Sequence, residues 1–211
     1  MPQSTTLTVR SEALQKPSPP IHPLAVRITH WINAFAMIVM ILSGWGIHNA
    51  YPTLPFAFPE WMTLGGSFPG ALRWHFAAMW LLVINGGIYL AYGFLTDRFR
   101  RKLLPIWPRD VLRDALAAMS GKLDHEDFST YNAVQHALYA GVIAAGVLAI
   151  ITGLAIWKPV QLKEITSLFG DFDNARIMHF AAMCTIVLFL AVHVTMSLIV
   201  PKSLRAMIIG R

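Results

Sequence analysis

Four long apolar runs, separated by shorter polar stretches, organise the hydrophobic pattern of the chain. They cover residues 24–47, 70–95, 133–157 and 174–200. Each reaches the ~20 helical residues that are needed to cross a bilayer. Pro23 precedes the first run and Pro201 follows the last, at positions where helices commonly begin and end. The pattern predicts an all-α integral membrane four-helix bundle over residues 23–205, preceded by a polar, Pro-rich disordered tail over residues 1–22.

The composition is also that of a membrane protein. Only 13% of the 211 residues are charged and 55% are hydrophobic, whereas soluble domains carry about 25% charged residues. The single cysteine, Cys184, excludes a disulfide or an iron–sulfur cluster held within one chain. Its place inside an apolar run predicts a small buried hydrophobic side chain.

The distribution of Lys and Arg predicts the orientation of the spans. Thirteen of these residues fall on one side of the predicted spans; only four, Arg73, Lys158, Lys163 and Arg176, fall on the other. Cytoplasmic segments are enriched in positive charge, so both termini are predicted to be cytoplasmic. Topology thus accounts for the net charge of +6, and the basic run "RFRRK" directly after a span does not indicate a nucleic-acid partner.

The connecting segments contain two further signals. Residues 48–69 are rich in Pro, Gly and aromatic residues, which suits a loop that covers a cofactor edge or receives a partner. The segment "WPRDVLRDALAAM" in the 97–131 connection predicts a short helix on the inner membrane surface. The runs "ILSGWGI" and "IITGLAI" echo each other, and Gly44 and Gly153 within them allow close approach of either a flat ligand or a neighbouring helix.

Histidines are the chemically distinctive residues of the spans. Five of the eight lie in or just inside the apolar runs: His30, His75, His136, His179 and His193. Ionisable groups in lipid are costly, so these residues are functional candidates that should face the bundle interior. His179 and His193 are fourteen residues apart, which places both rings on one helix face about 21 Å apart along the axis.

Depth in the membrane groups these histidines into two levels. His75 and His179 each lie about 9 Å inside the outer ends of their helices. His30 and His193 lie about 10–12 Å inside the inner ends. A haem that stands edge-on between helices needs two axial imidazoles at one height. The levels therefore predict two haems stacked across the membrane.

Two other histidines compete for these positions. His48 shares a helical face with His30 but lies too shallow to match His179. His136 is about 5 Å shallower than His193, and depth alone separates it poorly from His30. Zinc would need ligands clustered at one level, and a proton relay would be expected to use intramembrane Asp or Glu, which the spans lack.

At these residues the chain resembles the bacterial di-haem cytochrome b-561 family, which includes the membrane cytochrome b subunits of nickel–iron hydrogenases and formate dehydrogenases. The resemblance covers roughly residues 20–205. It rests on "HPLAVRITHWINAF", "LRWHFAAMW" and "YNAVQHALY", which open the first three spans, and on the His179 and His193 pair.

The resemblance implies roles for particular residues. It implies two b-type haems, an inner one ligated by His30 and His193 and an outer one ligated by His75 and His179. Because the "YNxxQ" stretch is associated with quinone in the family, Asn132 and Gln135 are candidates to hold a quinone beside the inner haem. His136 stands where relatives often have Lys, and it could contact quinone, a haem propionate or iron. Candidate propionate partners are Arg27 and Lys202 inside, and Arg73 and Arg176 outside, although interfacial anchoring explains them nearly as well.

The function implied is electron transfer across the bacterial inner membrane between the quinone pool and a periplasmic redox enzyme. A molybdopterin oxidoreductase, a hydrogenase or a formate dehydrogenase would suit as partner. The first alternative is a stand-alone superoxide:ubiquinone oxidoreductase of the same haem fold, which would need a cationic funnel over the outer haem. The second is a haem-free structural or transport bundle.

Overall fold

The computed structural model describes residues 22–96 and 133–210. All regular structure among these residues is helical: α1 (Leu24–Ala50), a 3-10 turn (Glu60–Met62), α2 (Phe68–Leu95), α3 (Ala133–Trp157), α4 (Lys163–Ser167), α5 (Phe172–Ile199) and α6 (Pro201–Ile209). Helices α1, α2, α3 and α5 are long and apolar enough to cross a membrane. The predicted all-α protein with four spanning helices is confirmed.

Capping residues explain why two spans begin earlier than hydrophobicity predicts. The Ser67 hydroxyl accepts a hydrogen bond from the Gly70 backbone N–H (3.3 Å) and starts α2. The Asp171 carboxylate accepts from the Asn174 backbone N–H (2.7 Å) and starts α5. Both satisfy a helix N–H that has no partner within its own helix. Pro201 follows the end of α5 and is the first residue of α6, as a helix-initiating proline should be.

Close backbone packing among the described residues occurs within two helix pairs, α1 with α2 and α3 with α5. Alanines are buried in both pairs: Ala36, Ala71, Ala78, Ala155, Ala175 and Ala182. Small side chains let helices approach closely in lipid, where van der Waals contact replaces the hydrophobic effect as the main attraction. The two pairs therefore form two compact halves.

A buried amide links α1 to α2 in the first half. The Asn85 side-chain nitrogen donates to the Thr29 carbonyl oxygen (2.7 Å) and to the Asn33 side-chain oxygen (2.7 Å). Asn85 is only 5% exposed. Since Thr29 directly precedes His30, this contact fixes the stretch of α1 that carries that histidine.

The short helix α6 folds back against the beginning of α1. Arg27 donates to the backbone carbonyl groups of Met207 (3.3 Å) and Ile208, and the Trp31 indole N–H donates to the Met207 carbonyl oxygen (3.3 Å). Carbonyl groups at a helix end have no partner within that helix, so these donors satisfy them. The Arg27 guanidinium, a candidate propionate partner, is thus already engaged by α6.

The prediction for Cys184 is wrong. Its side chain is exposed on the surface of α5. Position 184 lies on a different face of the helix from Ala182 and Ile186, which are buried. A uniformly apolar helix gives no periodic signal that separates its packed face from its lipid-facing surface, and this is why the sequence did not place it.

Two predicted segments lie outside the described residues. They are the disordered tail, apart from residue 22, and the surface helix within the 97–131 connection.

Candidate functional site

The four candidate ligands meet in two pairs, and each pair joins the two halves of the molecule. The ring centroids of His75 on α2 and His179 on α5 are 6.4 Å apart. Those of His30 on α1 and His193 on α5 are 6.1 Å apart. These are the same partners that the depth estimates group together, and α5 contributes one histidine to each pair.

Both separations fit one metal ion between two imidazoles. With metal–nitrogen bonds of about 2.0–2.1 Å and the ring radius on each side, two facing imidazole centres should be about 6.3 Å apart. Direct hydrogen bonding of two rings would bring them closer. The distances therefore fit bis-histidine haem iron, which needs two nitrogen ligands on opposite sides of the porphyrin.

A hydroxyl group and a glycine of α1 position His75. The Ser43 hydroxyl oxygen lies 3.1 Å from His75 Nδ1. A Cβ atom at Gly44 would lie 3.5 Å from His75 Cε1. The hydroxyl thus fixes one ring nitrogen, and the glycine leaves room for the ring against the α1 backbone.

Helix α3 repeats this arrangement for His179. The Thr152 hydroxyl oxygen lies 3.0 Å from His179 Nδ1. A Cβ atom at Gly153 would lie 3.3 Å from His179 Cε1, which is tighter than ordinary contact. The two echoing sequences therefore carry an equivalent hydroxyl–glycine unit in each half. The sequence does not decide whether these two glycines serve ligand approach or helix packing; in the structure each one faces a histidine ring.

Aromatic rings surround the second pair. Trp31 meets the His30 ring edge-on (5.4 Å between centroids), and Phe189 stacks on the His193 ring (5.6 Å). Within residues 22–96 and 140–210, no hydroxyl group hydrogen-bonds to the ring nitrogens of His30 or His193. The two histidine pairs thus differ in whether a hydroxyl group hydrogen-bonds to a ring nitrogen.

His48 organises the loop between α1 and α2 rather than competing for the cofactor. The Thr53 backbone N–H donates to His48 Nδ1 (3.4 Å), and Nε2 hydrogen-bonds to the Phe56 carbonyl oxygen (3.2 Å). Its ring stacks on Phe180 (4.9 Å) and packs against Phe56 (5.0 Å), and the residue is only 5% exposed. Since both ring nitrogens are engaged by backbone groups of residues 53–56, neither is free to ligate iron. This role depends on the fold of the loop, and helical spacing gave no signal for it.

The same loop is fastened to the end of α1 by two further contacts. The Asn49 side-chain amide donates to the Phe58 carbonyl oxygen and accepts from the Phe58 N–H, both at 2.8 Å. Trp45 stacks on Phe58 with 4.6 Å between centroids. The Trp45 indole nitrogen is buried and has no hydrogen-bond partner within the described part of the chain. A buried donor of this kind is costly unless it meets an acceptor, such as a cofactor carboxylate.

The cations at this end of the bundle are engaged separately. Arg176 donates to the Tyr51 carbonyl oxygen (2.7 Å) and to the Asp173 carboxylate (3.2 Å). Arg73 donates to the Pro69 carbonyl oxygen (3.3 Å), and the Lys158 ammonium lies over the Trp157 ring (5.2 Å). Each of these three cations is thus held by a backbone, carboxylate or aromatic partner within the protein.

The predicted quinone residues are only partly within the described chain. Asn132 lies outside it. Gln135 and His136 lie in the first turn of α3, about 25 Å along that helix from Thr152. This end of α3 is the one away from the His75 and His179 level.

Comparison with known proteins gives one family. Residues 21–210 match the family described as prokaryotic cytochrome b561. The chain is 45% identical over 190 residues to the putative protein-methionine-sulfoxide reductase subunit YedZ1 of Azospira oryzae, covering 90% of this chain and 96% of that protein.

More distant relatives are subunits of other redox enzymes. The chain is 22% identical to the probable Ni/Fe-hydrogenase B-type cytochrome subunit of Bradyrhizobium diazoefficiens, covering 86% of this chain and 78% of that protein. It is 23% identical to the cytochrome b556(fdo) subunit of formate dehydrogenase from Escherichia coli K12, covering 87% and 81%.

Proposed function

Because the chain belongs to the prokaryotic cytochrome b561 family, we propose that it is a di-haem electron-transfer subunit linking the quinone pool of the bacterial inner membrane to a periplasmic catalytic subunit. The chain is a multi-pass membrane cytochrome b, and that class carries b-type haem. The number of haems, their ligands, the quinone and the partner belong to the proposal.

The observation that carries the proposal is the pair of imidazole contacts between the two halves. His75 with His179, and His30 with His193, stand at separations that fit one metal ion each. A haem held by two histidines supplies one-electron transfer and has no open position for oxygen. The four histidines of this chain would hold the two haems, α5 would keep the two levels apart, and the apolar side chains around them would exclude water.

The partner is proposed from the relatives. The relative with 45% identity is named as a subunit of a protein-methionine-sulfoxide reductase. We infer that this chain delivers electrons to a catalytic subunit of the same kind. Reduction of one sulfoxide takes up two electrons and two protons and releases one water, so the haems would pass two electrons singly from quinol to the partner.

The quinone is proposed at the opposite end of the bundle from His48. Thr152 lies beside His179, and Gln135 and His136 lie at the opposite end of α3. We infer that this end is at the level of His30 and His193. With Asn132 they would hold the quinone head group by hydrogen bonds, as the family resemblance implies. Electrons would then enter at the His30 and His193 level and leave at the His75 and His179 level.

Purification in mild detergent with haem quantification tests the proposal. Two b-type haems per chain, together with a co-purifying oxidoreductase that reduces methionine sulfoxide in proteins, would support it. A fully loaded protein that lacks a partner and reduces quinone with superoxide would support the stand-alone enzyme instead. Colourless, folded protein would refute both hypotheses in which the chain binds haem.

A further inference from the structure

The hydrogen bonds of the Ser43 hydroxyl show which ring nitrogen of His75 is protonated. It is Nδ1, the nitrogen that faces α1. The Ser43 hydroxyl oxygen lies 2.6 Å from the Val39 carbonyl oxygen and 3.1 Å from His75 Nδ1. A hydroxyl group has one hydrogen, and a carbonyl oxygen can only accept. The hydrogen therefore goes to Val39, and the Ser43 oxygen accepts from a hydrogen on Nδ1. The lone pair of His75 is then on Nε2, the nitrogen available to a metal ion.

The same count applies to His179. The Thr152 hydroxyl oxygen lies 2.7 Å from the Leu148 carbonyl oxygen and 3.0 Å from His179 Nδ1. The single hydrogen is again used by a carbonyl group one turn back. Thr152 thus accepts from Nδ1–H, and His179 also presents Nε2. Both residues that carry the hydroxyl, Ser43 and Thr152, are fully buried, so water does not compete for these bonds.

A hydrogen-bond acceptor at Nδ1 affects the electronic properties of a metal ion bound at Nε2 as well as the orientation of the imidazole ring. Such a partner sets the tautomer and orientation of a ligating histidine and raises its basicity. A more electron-rich ligand stabilises ferric over ferrous iron, which lowers the midpoint potential. Resting on the proposed haem ligation, we propose that Ser43 and Thr152 are positioning residues that lower the potential of the haem at the His75 and His179 level.

The His30 and His193 level serves as an internal reference, because its histidines lack such hydroxyl partners among the described side chains. The rings of His30 and His193 contact Trp31 and Phe189, and in the described part of the chain no hydroxyl group accepts from them. Removing the two hydroxyl groups should therefore move one of two midpoint potentials and leave the other in place.

Potentiometric titration of the purified, haem-loaded full chain tests the proposal. The variants are Thr152→Val, which replaces the hydroxyl by a methyl group of similar shape, and Ser43→Ala. Each should raise the same single midpoint, by about tenfold in the ferrous-to-ferric ratio at fixed potential, which is about 59 mV for a one-electron couple. The double variant should raise it further.

Two controls separate the hydrogen bond from general disturbance. Thr152→Ser keeps the hydroxyl and should leave both midpoints unchanged. Thr185→Val removes a hydroxyl of α5 that donates to the Ala181 carbonyl oxygen within its own helix (3.0 Å), and it should also change neither midpoint. Loss of one of the two haems in both hydroxyl-free variants, with both controls fully loaded, would likewise support the positioning role.

Three results would overturn the proposal. The first is unchanged midpoints in fully loaded Thr152→Val and Ser43→Ala. The second is an equal shift of both midpoints, and the third is the same shift in Thr185→Val. Absence of haem from the unsubstituted protein would be a different failure, because it would refute the proposed function itself.

Discussion

The imidazole ring centroids of His75 and His179 lie 6.4 Å apart, with 66° between the ring planes, although their helices belong to different packed halves of the molecule. A second contact, between His30 and His193, repeats this relationship further along α5. Both halves are built by close helix packing within themselves, whereas histidine rings meet between them. The cofactor is thus expected to be part of what holds the halves together.

Substituting one ligand histidine should remove the haem at its level and leave the haem at the other level bound. In His75→Ala the protein should retain one haem per chain, because His30 and His193 lie at a separate level. Haem extraction and quantification per chain, with a reduced-minus-oxidised spectrum, provide the measurement. Loss of both haems from a folded variant would contradict the pairing. His48→Phe, which alters the loop after α1 and no proposed ligand, serves as the matched histidine control and should keep both.

The space beside His179 should be sensitive to small added groups. Gly153→Val should reduce haem content, since even a Cβ atom would lie 3.3 Å from His179 Cε1. Gly44→Ala should be tolerated better, because its Cβ would lie at 3.5 Å from His75 Cε1. Gly87→Ala is the control, as nothing lies within 4 Å of a Cβ there. Equal haem content in Gly153→Val and Gly87→Ala would argue against a tight histidine site.

His48 should matter for the loop between α1 and α2 and not for the number of haems bound. His48→Phe keeps an aromatic ring but removes the bonds to Thr53 and Phe56, at a cost of about 1–3 kcal/mol for the backbone groups left unpaired. Hydrogen exchange at residues 53–58 should accelerate, while two haems remain bound. A variant with only one haem would identify His48 as a ligand after all. Asn49→Ala should loosen the same loop by losing its two bonds to Phe58.

Asn85 should stabilise the first half from within the membrane. Asn85→Leu removes the bonds to Thr29 and Asn33, and intramembrane hydrogen bonds contribute about 0.6 kcal/mol each, up to about 1.7. The thermal midpoint in detergent should fall slightly, and haem release should begin at the His30 and His193 level. Release that begins at the other level would show that Asn85 does not support His30.

Asn132 tests the quinone site. Asn132→Ala should slow quinone-linked turnover and leave the haem spectrum unchanged, because the residue is assigned to quinone and not to iron. Steady-state kinetics with a short-chain quinol and a spectrum of the same sample provide the comparison. Normal turnover would count against the assignment.

Hydropathy and depth predicted the spans and grouped the histidines, because both depend on distance along a straight helix. Capping by Ser67 and Asp171 shifted two helix starts by two residues, a local effect that a hydropathy window does not resolve. The echoing sequences around Gly44 and Gly153 also carry a hydroxyl residue at the same position, Ser43 in one and Thr152 in the other. The residue before each glycine carries the hydroxyl that bonds a histidine, and a search for matched hydroxyl groups would have found Ser43 and Thr152.

Other features could not be predicted because they depend on long-range contacts. The anchoring role of His48 needs the folded course of residues 51–58. The docking of α6 needs Arg27, which lies about 180 positions earlier in the chain. Cys184 was misplaced because α5 is apolar on every face and gives no amphipathic signal.

The most direct test is haem quantification combined with low-temperature EPR on the purified oxidised protein. The account predicts two b-type haems per chain, both low-spin with two axial histidines. A protein with one haem or none, or with a high-spin iron that has an open position, would contradict it.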